Sequence, residues 1–265
     1  MIVKVCGMRD AENIREVEKM AEELSIVNSQ LSIAWMGFIF WPKSSRYVSE
    51  RPAYLPTKCK RVGVFVDASI DDIRQHTADY ALDIIQLHGS ESPDYVRALC
   101  DCLVGNGETV ASQLRSSCGD SIAIRQLHSS CGDSIATRQL RSLCGDSITI
   151  IKAFNIATKE DLDATKPYEG IVDYFLFDTK GKSVGGNGEK FDWRVLASYA
   201  GETPFLLSGG IGPDDAELIL QAFALDGFPV EKCLGIDLNS RFELAPALKD
   251  VTSLARFLNK LNNMN

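Results

Sequence analysis

Three side chains in this sequence could move protons, and two glycine-bearing stretches could hold an anion. Cys6 closes the apolar run Ile2-Val3-Lys4-Val5 and stands before Gly7. A thiol at a strand end is a small buried hydrophobe or a base, and position alone does not choose. Asp178 closes a second apolar run, Tyr174-Phe-Leu-Phe177, where an aspartate is a helix cap or an acid. Gly185-Gly186-Asn-Gly188 follows in the same loop, which suits a lid, the close approach of a substrate, or a plain solvent loop. His88, in Gln86-Leu-His88-Gly89, is an acid or base, or a hydrogen-bonded structural histidine. Arg46, in Pro42-Lys-Ser-Ser-Arg46-Tyr47, carries a planar fork that could clamp a carboxylate. Ser208-Gly209-Gly210-Ile211-Gly212 and Gly235-Ile-Asp237-Leu-Asn239-Ser240 could present backbone N–H groups to a phosphate. Asp67 and Asp237 could cap helices or orient neighbours.

The elements that must position these groups alternate. Short β-rich apolar runs are expected at Ile2–Cys6, Trp35–Phe40, Arg61–Val66, Ala81–Leu87, Ile148–Phe154, Val172–Phe177, Pro204–Leu207 and Cys233–Leu238. Helical patterns follow them. Ile14, Val17, Ala21 and Leu24 recur at helical spacing, and further helices are expected at Ile70–Ala78, Ser92–Cys100, Thr158–Thr165, Asp192–Tyr199, Pro213–Ala224 and Val251–Leu261. Eight strand-then-helix units imply parallel strands with right-handed crossovers, and eight is the count that closes a (β/α)₈ barrel. An open doubly wound sheet would carry a glycine fingerprint after its first strand, and Cys6-Gly7-Met8-Arg9 is not one. In such a barrel the active site forms at the C-terminal strand ends, where all of the groups above fall.

Composition bounds the class. The 265 residues are 45% hydrophobic with a formal net charge of −8. Such a surface repels nucleic acid and anionic membrane, although a local basic pocket could still take a phosphate. No apolar run approaches the roughly 20 residues of a membrane span, and the N-terminus reads as a strand rather than a signal peptide. The eight cysteines are diluted over a long chain and are read as reduced thiols of a cytoplasmic protein. The expected assembly is a monomer or homodimer.

One stretch does not fit the alternation. Ser112–Ile124, Arg125–Thr137 and Arg138–Ile150 are three near-identical copies of 13 residues. The chain is read as one barrel domain, 1–265, with residues 104–146 inserted between the fourth helix and the fifth strand, as loop or disordered chain. Without them about 222 residues remain, an ordinary barrel length. Cys118, Cys131, Cys144 and His128 are a legitimate zinc ligand set by type. Their spacing lacks the close cysteine pairs of zinc modules, and duplication alone explains the recurrence, so no metal is expected.

Taken in order, several segments resemble the phosphoribosylanthranilate isomerases of tryptophan biosynthesis. They are Lys4-Val-Cys-Gly-Met8, Gly37-Phe-Ile-Phe40 with Pro42-Lys-Ser-Ser-Arg-Tyr-Val48, Val62-Gly-Val-Phe-Val66 and Gln86-Leu-His-Gly89. Phe177-Asp-Thr-Lys180, Gly185-Gly-x-Gly-x-x-Phe-Asp-Trp193 and Ser208-Gly-Gly-Ile211 complete the set. The resemblance implies an Amadori rearrangement of an aminoaldose phosphate to an aminoketose phosphate. By that pattern Cys6 is the general base, Asp178 the general acid, and Arg46 the holder of the anthranilate carboxylate. Gln86, His88, Gly185 and Gly186 contact the substrate, and the backbone around Gly209, Gly210, Asn239 and Ser240 holds its phosphate.

The residue types suit that chemistry. Ring opening needs a proton on the ribose ring oxygen, so Asp178 has to hold its proton at working pH, which burial or a nearby negative charge favours. The resulting iminium acidifies the adjacent sugar C–H. Cys6 removes that proton only as thiolate, so its pKa is expected to fall from about 8.5 toward neutrality. The iminium is the electron sink, so no cofactor is expected. Two departures stand out. Asn239-Ser-Arg241-Phe-Glu243 replaces the usual Ser-Ser-Gly-Val-Glu, and Asn187 stands where threonine is usual. Another phosphosugar barrel enzyme and a non-catalytic binding protein are the rival readings. A histidine-pathway isomerase would favour aspartates at the ends of strands one and five, where this chain has Cys6 and Phe154-Asn155.

Overall fold

The computed structural model describes residues 1–27, 32–105, 148–179 and 193–263. Eight parallel strands follow chain order and close on themselves. They are β1 (Ile2–Val5), β2 (Ser32–Ile39), β3 (Lys60–Phe65), β4 (Ile84–Leu87), β5 (Thr149–Ile156), β6 (Tyr174–Thr179), β7 (Phe205–Leu207) and β8 (Cys233–Leu238). The closing pair sets Lys4 opposite Asp237, and the β5–β6 pair sets Asn155 opposite Asp178. The expected (β/α)₈ barrel is the observed one.

Two periodicities build two cores. Along each strand alternate side chains enter the barrel. Cys6, Trp35, Val62, Val64, Ile84, Ile151, Ala153, Leu176 and Leu206 fill that interior. The other face, including Val3, Val5, Ile85, Phe175, Phe177 and Ile236, packs against the helices. These are α1 (Ala11–Val27), α2 (Ile70–Tyr80), α3 (Pro93–Gly105), α4 (Ala216–Phe223) and α5 (Val251–Asn263). Ile14, Val17 and Ala21 of α1 are buried as their spacing implies, and Leu24 packs alongside. Fully burying such a side chain contributes about 1.5–3 kcal/mol, so the stripes hold the helices on the barrel.

Several local expectations need correction. No helix stands between β2 and β3. Pro42, Pro52 and Pro56 punctuate that connection, and each removes a backbone donor that a helix needs. The helix before the repeats is therefore the third, not the fourth. The units after β5 and β6 form 3₁₀ helices, Lys159–Tyr168 and Trp193–Ser198, instead of α-helices. Pro167 sits inside the first of them. After β8 comes a 3₁₀ turn, Ser240–Phe242, and then an unexpected hairpin of β9 (Glu243–Ala245) and β10 (Leu248–Lys249). Ala247 turns it with φ 68°. Most of the repeat segment, with Cys118, Cys131, Cys144 and His128, lies outside the described residues. Among the described residues no helix is long and apolar enough to cross a membrane, and no group of three metal-ligating side chains comes together.

Candidate active site

The inward face of the strands turns from apolar to charged at its C-terminal end. Period-2 alternation puts Lys4 and Cys6 on the same face of β1, Gln86 two residues beyond Ile84, and Asp178 two beyond Leu176. Cys6 is 3% exposed, and its N–H donates to the Leu238 carbonyl at 2.8 Å. Its side chain has room because β2 carries glycine opposite. A Cβ on Gly37 would lie 2.8 Å from Cys6 Sγ and 3.3 Å from Lys4 Cε. Lys4, fully buried, donates to Asp237 Oδ1 at 2.9 Å. Asp237 therefore neither caps a helix nor stands alone. It answers the one cation inside the first strand.

This pairing decides the thiol's state. Burial pushes the Cys6 thiol above its ordinary value, and Asp237 adds to that, while Lys4 and Lys249 pull it down without prevailing. This direction is opposite to the fall toward neutrality that the chemistry asks of the thiol. The physical reason is desolvation: a nearly sealed thiolate loses water, and the adjacent cation is already shared with a carboxylate. Burial also opposes charge on Lys4, but Asp237 and Cys6 outweigh it and hold the ammonium above its ordinary value.

Asp178 is within electrostatic reach of Asp237. Asp237 feels the charges of Cys6, Asp178 and His88, so the thiol and the carboxylate share one end of the barrel. His88 Nε2 is 3.5 Å from Asp178 Oδ2, and His88 Nδ1 is 3.1 Å from Gln86 Nε2. With the amide nitrogen as donor, Gln86 leaves Nε2 of a neutral His88 protonated toward Asp178. Gln86 is buried, and its Oε1 has no hydrogen-bond partner among the described residues.

The loop carrying His88 is tied down by a buried ion pair that residue spacing does not reveal. Lys152 Nζ lies 3.2 Å from Glu91 Oε2 and donates to the Gly89 carbonyl at 2.8 Å. Glu91 accepts from the backbone of Asp67 and Gly89. Asp67 is not a helix cap either. Ser69 caps α2, while Asp67 adopts φ 49° and accepts from Ser90 N and Oγ.

Arg46 reaches the same mouth from the loop after β2. Its Nε and Nη2 already grip Glu243, with a shortest contact of 2.6 Å. Lys249 Nζ binds the same carboxylate at 2.6 Å and Asn239 Oδ1 at 2.9 Å. Burial would raise Glu243, but Arg46 and Lys249 outweigh it and hold the carboxyl below its ordinary range. Asn239 thus spends its side-chain oxygen on Lys249, which leaves its amide nitrogen and its backbone N–H as the donors it can offer an anion. Gly7 makes this convergence possible. It has φ 77°, and a Cβ there would lie 2.7 Å from both Arg46 Cδ and Asn239 Oδ1.

Gly209 and Gly210 follow β7 with φ 94° and 68°, and the space beside Gly210 is open. Arg241 sits in the 3₁₀ turn, so this loop does not need glycine there. Gly185 and Gly186 lie outside the described residues. Lys4, Glu243 and Lys249 are the site groups that sequence reasoning missed. A lysine inside an otherwise apolar strand was the available signal for the first.

Comparison with known proteins identifies the family. Residues 3–106 and 106–260 match the family model for N-(5'phosphoribosyl)anthranilate (PRA) isomerase. A protein of Phocaeicola vulgatus named N-(5'-phosphoribosyl)anthranilate isomerase is 40% identical over 261 residues, covering 98% of both chains. The solved phosphoribosyl anthranilate isomerase of Thermotoga maritima superposes with a TM-score of 0.65 at 23% identity over 100% of both chains. Another solved isomerase of this name, in complex with reduced 1-(o-carboxyphenylamino)-1-deoxyribulose 5-phosphate, gives 0.61 at 21% over 99% of this chain and 100% of that one. The chain belongs to the N-(5'-phosphoribosyl)anthranilate isomerase family.

Proposed function

We infer that this chain converts N-(5-phosphoribosyl)anthranilate to 1-(2-carboxyphenylamino)-1-deoxyribulose 5-phosphate, an Amadori rearrangement of L-tryptophan biosynthesis, in the cytoplasm, as a monomer or homodimer. The observation that carries the assignment of roles is a thiol and a carboxylate at one barrel mouth, both in electrostatic reach of Asp237.

Asp178 protonates the ribose ring oxygen, and the C1–O bond breaks as the anilino nitrogen lone pair forms the iminium. Cys6, as thiolate, takes the C2 proton, and that electron pair moves toward the iminium nitrogen to give an enaminol. Tautomerisation of the enaminol delivers a proton to C1 and leaves the C2 ketone. The substrate's own nitrogen stores the electrons, so the protein supplies only proton transfer and placement. Cys6 enters this step as thiolate, its proton already lost to water, with the adjacent Lys4 ammonium opposing the cost of that buried charge. Arg46 turns its remaining edge toward the anthranilate carboxylate, with Glu243 fixing its orientation. Gln86 and His88 border the sugar, and His88 holds Asp178 in position. Gly185 and Gly186 contact the substrate from the loop after β6. The phosphate rests on the backbone of Gly209, Gly210, Asn239 and Ser240.

The assay is the loss of phosphoribosylanthranilate fluorescence on adding purified protein, with the product identified independently. Cys6→Ala and Asp178→Asn should each lower kcat/KM by about 10²–10⁴-fold with the fold intact. Full activity in both variants would overturn the residue roles, and no conversion by the native chain would overturn the function.

A further inference from the structure

We propose that Arg241 binds the substrate phosphate through its side chain, a charged clamp where the family pattern relies on glycine and backbone groups. The inference rests on the function proposed above and extends it.

The backbone of Arg241 is anchored by the two residues that follow it. Phe242 is fully buried and meets Phe257 edge-on with ring centroids 5.1 Å apart, and Glu243 is held by Arg46 and Lys249. From this anchor the side chain crosses to the loop after β7. A Cβ on Gly212 would lie 3.3 Å from Arg241 Nε and 3.5 Å from its Nη2. Gly212 is itself fixed, its N–H donating to Asp215 Oδ2 at 2.8 Å. The guanidinium therefore reaches from the loop after β8 to the loop after β7, which also carries Gly210.

Charge pairing points the same way. Lys4 and Lys152 each pair with a buried carboxylate, and Arg46 and Lys249 share a third, Glu243. Among the described residues Arg241 forms no salt bridge; the Asp215 carboxylate, 3.5 Å from the same Gly212 Cβ position, is turned to the Gly212 N–H. A planar, permanently charged fork without a carboxylate, resting on a glycine loop, suits a phosphate dianion. In a chain of net charge −8, one such cation also offsets the repulsion that a dianion meets on approach.

The test compares native protein with Arg241→Ala, Arg241→Lys and, as a control for net charge, Lys19→Ala on the exposed face of α1. Inorganic phosphate is the probe, read as its inhibition constant against substrate and, separately, by calorimetry. Arg241→Ala should raise KM and the phosphate constant together by about 10- to 100-fold, with kcat within about threefold. Arg241→Lys should fall between, and Lys19→Ala should change neither. Unchanged constants in a folded Arg241→Ala variant would overturn the inference, as would an equal loss in Lys19→Ala. If the native chain turned over no substrate yet bound phosphate through Arg241, the proposed function would fall and the anion site would stand.

Discussion

Gly37→Ala tests the placement of the thiol with a single methyl group. The added Cβ would lie 2.8 Å from Cys6 Sγ and 3.2 Å from Cys6 Cα. Non-bonded contacts of this kind settle near roughly 3.5–4.0 Å, so the sulfur must move by about 1 Å. The backbone cannot take up that shift cheaply. Cys6 N is bonded to Leu238, and Met8 N donates to the Gly37 carbonyl at 2.9 Å. The thiol must therefore rotate away from the substrate or the β1–β2 seam must open. A displacement of about 1 Å at a reacting group costs about 10²-fold in rate. Overpacking of this size costs about 1–3 kcal/mol in stability. Gly63→Ala is the control, because its Cβ would meet Leu82 and Phe65 and leave the thiol alone. Both variants should lose similar stability in urea titrations, and only Gly37→Ala should lose about 10²-fold in kcat/KM by the fluorescence assay. Gly37→Ala protein that stays within threefold of native kcat/KM would refute the reasoning, and so would an equal loss in Gly63→Ala.

Other outcomes follow from the charged layer. Because burial holds the Cys6 thiol above its ordinary value, kcat/KM should keep rising above pH of about 8.5. Removing the cation that opposes the shift, in Lys4→Met, should move that alkaline limb to higher pH, read from the pH–rate profile. The same variant leaves Asp237 buried without its partner and should cost about 3–5 kcal/mol, part of which Lys4→Met with Asp237→Asn should restore. Glu243 is held below its ordinary range, so its stabilising effect is present above the unfolded value of about 4.3 and lost as pH falls through the folded one. The stability gap between native protein and Glu243→Gln should accordingly be full at neutral pH and close in acid, as denaturant titrations across that range will show. Residues 106–146 stand in sequence between α3, which ends at Gly105, and β5, which begins at Thr149, and in this topology those two ends lie on the face opposite the chemistry. Deleting them should leave kcat and KM within about threefold, and a collapse of turnover in a folded deletion variant would place them at the site.

What the sequence disclosed, and what it withheld, divides along range of interaction. Cys233–Leu238 is readable to the residue because a β-rich run is bounded by charged and polar neighbours. The barrel itself is readable because eight such runs alternate with helical spacing. The hairpin after β8 is not, since strands of three and two residues are too short to show a period. The 3₁₀ segments carry helical spacing, and only packing against the barrel and an internal proline select the tighter turn. In the site, Cys6, Asp178, His88 and the glycine loops announce themselves by position at strand ends. Lys4 with Asp237 does not, because the partners are 233 residues apart and meet only when β8 closes on β1.

That closure explains why the charged layer is where it is. Replacing a buried ion pair by well-packed hydrophobic residues is often neutral or stabilising, so stability alone does not favour Lys4 and Asp237 over the apolar residues that fill the interior below them. Nor does Lys249 on Glu243 gain from being sealed, when the same hairpin could close over methyl groups. Both pairs lie at the strand ends that carry the thiol and the arginine fork. Each sets the charge seen by a group proposed to touch the substrate: Lys4 and Asp237 for Cys6, Lys249 and Glu243 for Arg46. A barrel optimised only to fold would carry methyl groups to its rim, and this one changes to the Gln86 amide two residues beyond Ile84 and to the Asp178 carboxylate two beyond Leu176. The position of that change marks the floor of the site independently of any single residue assigned to it.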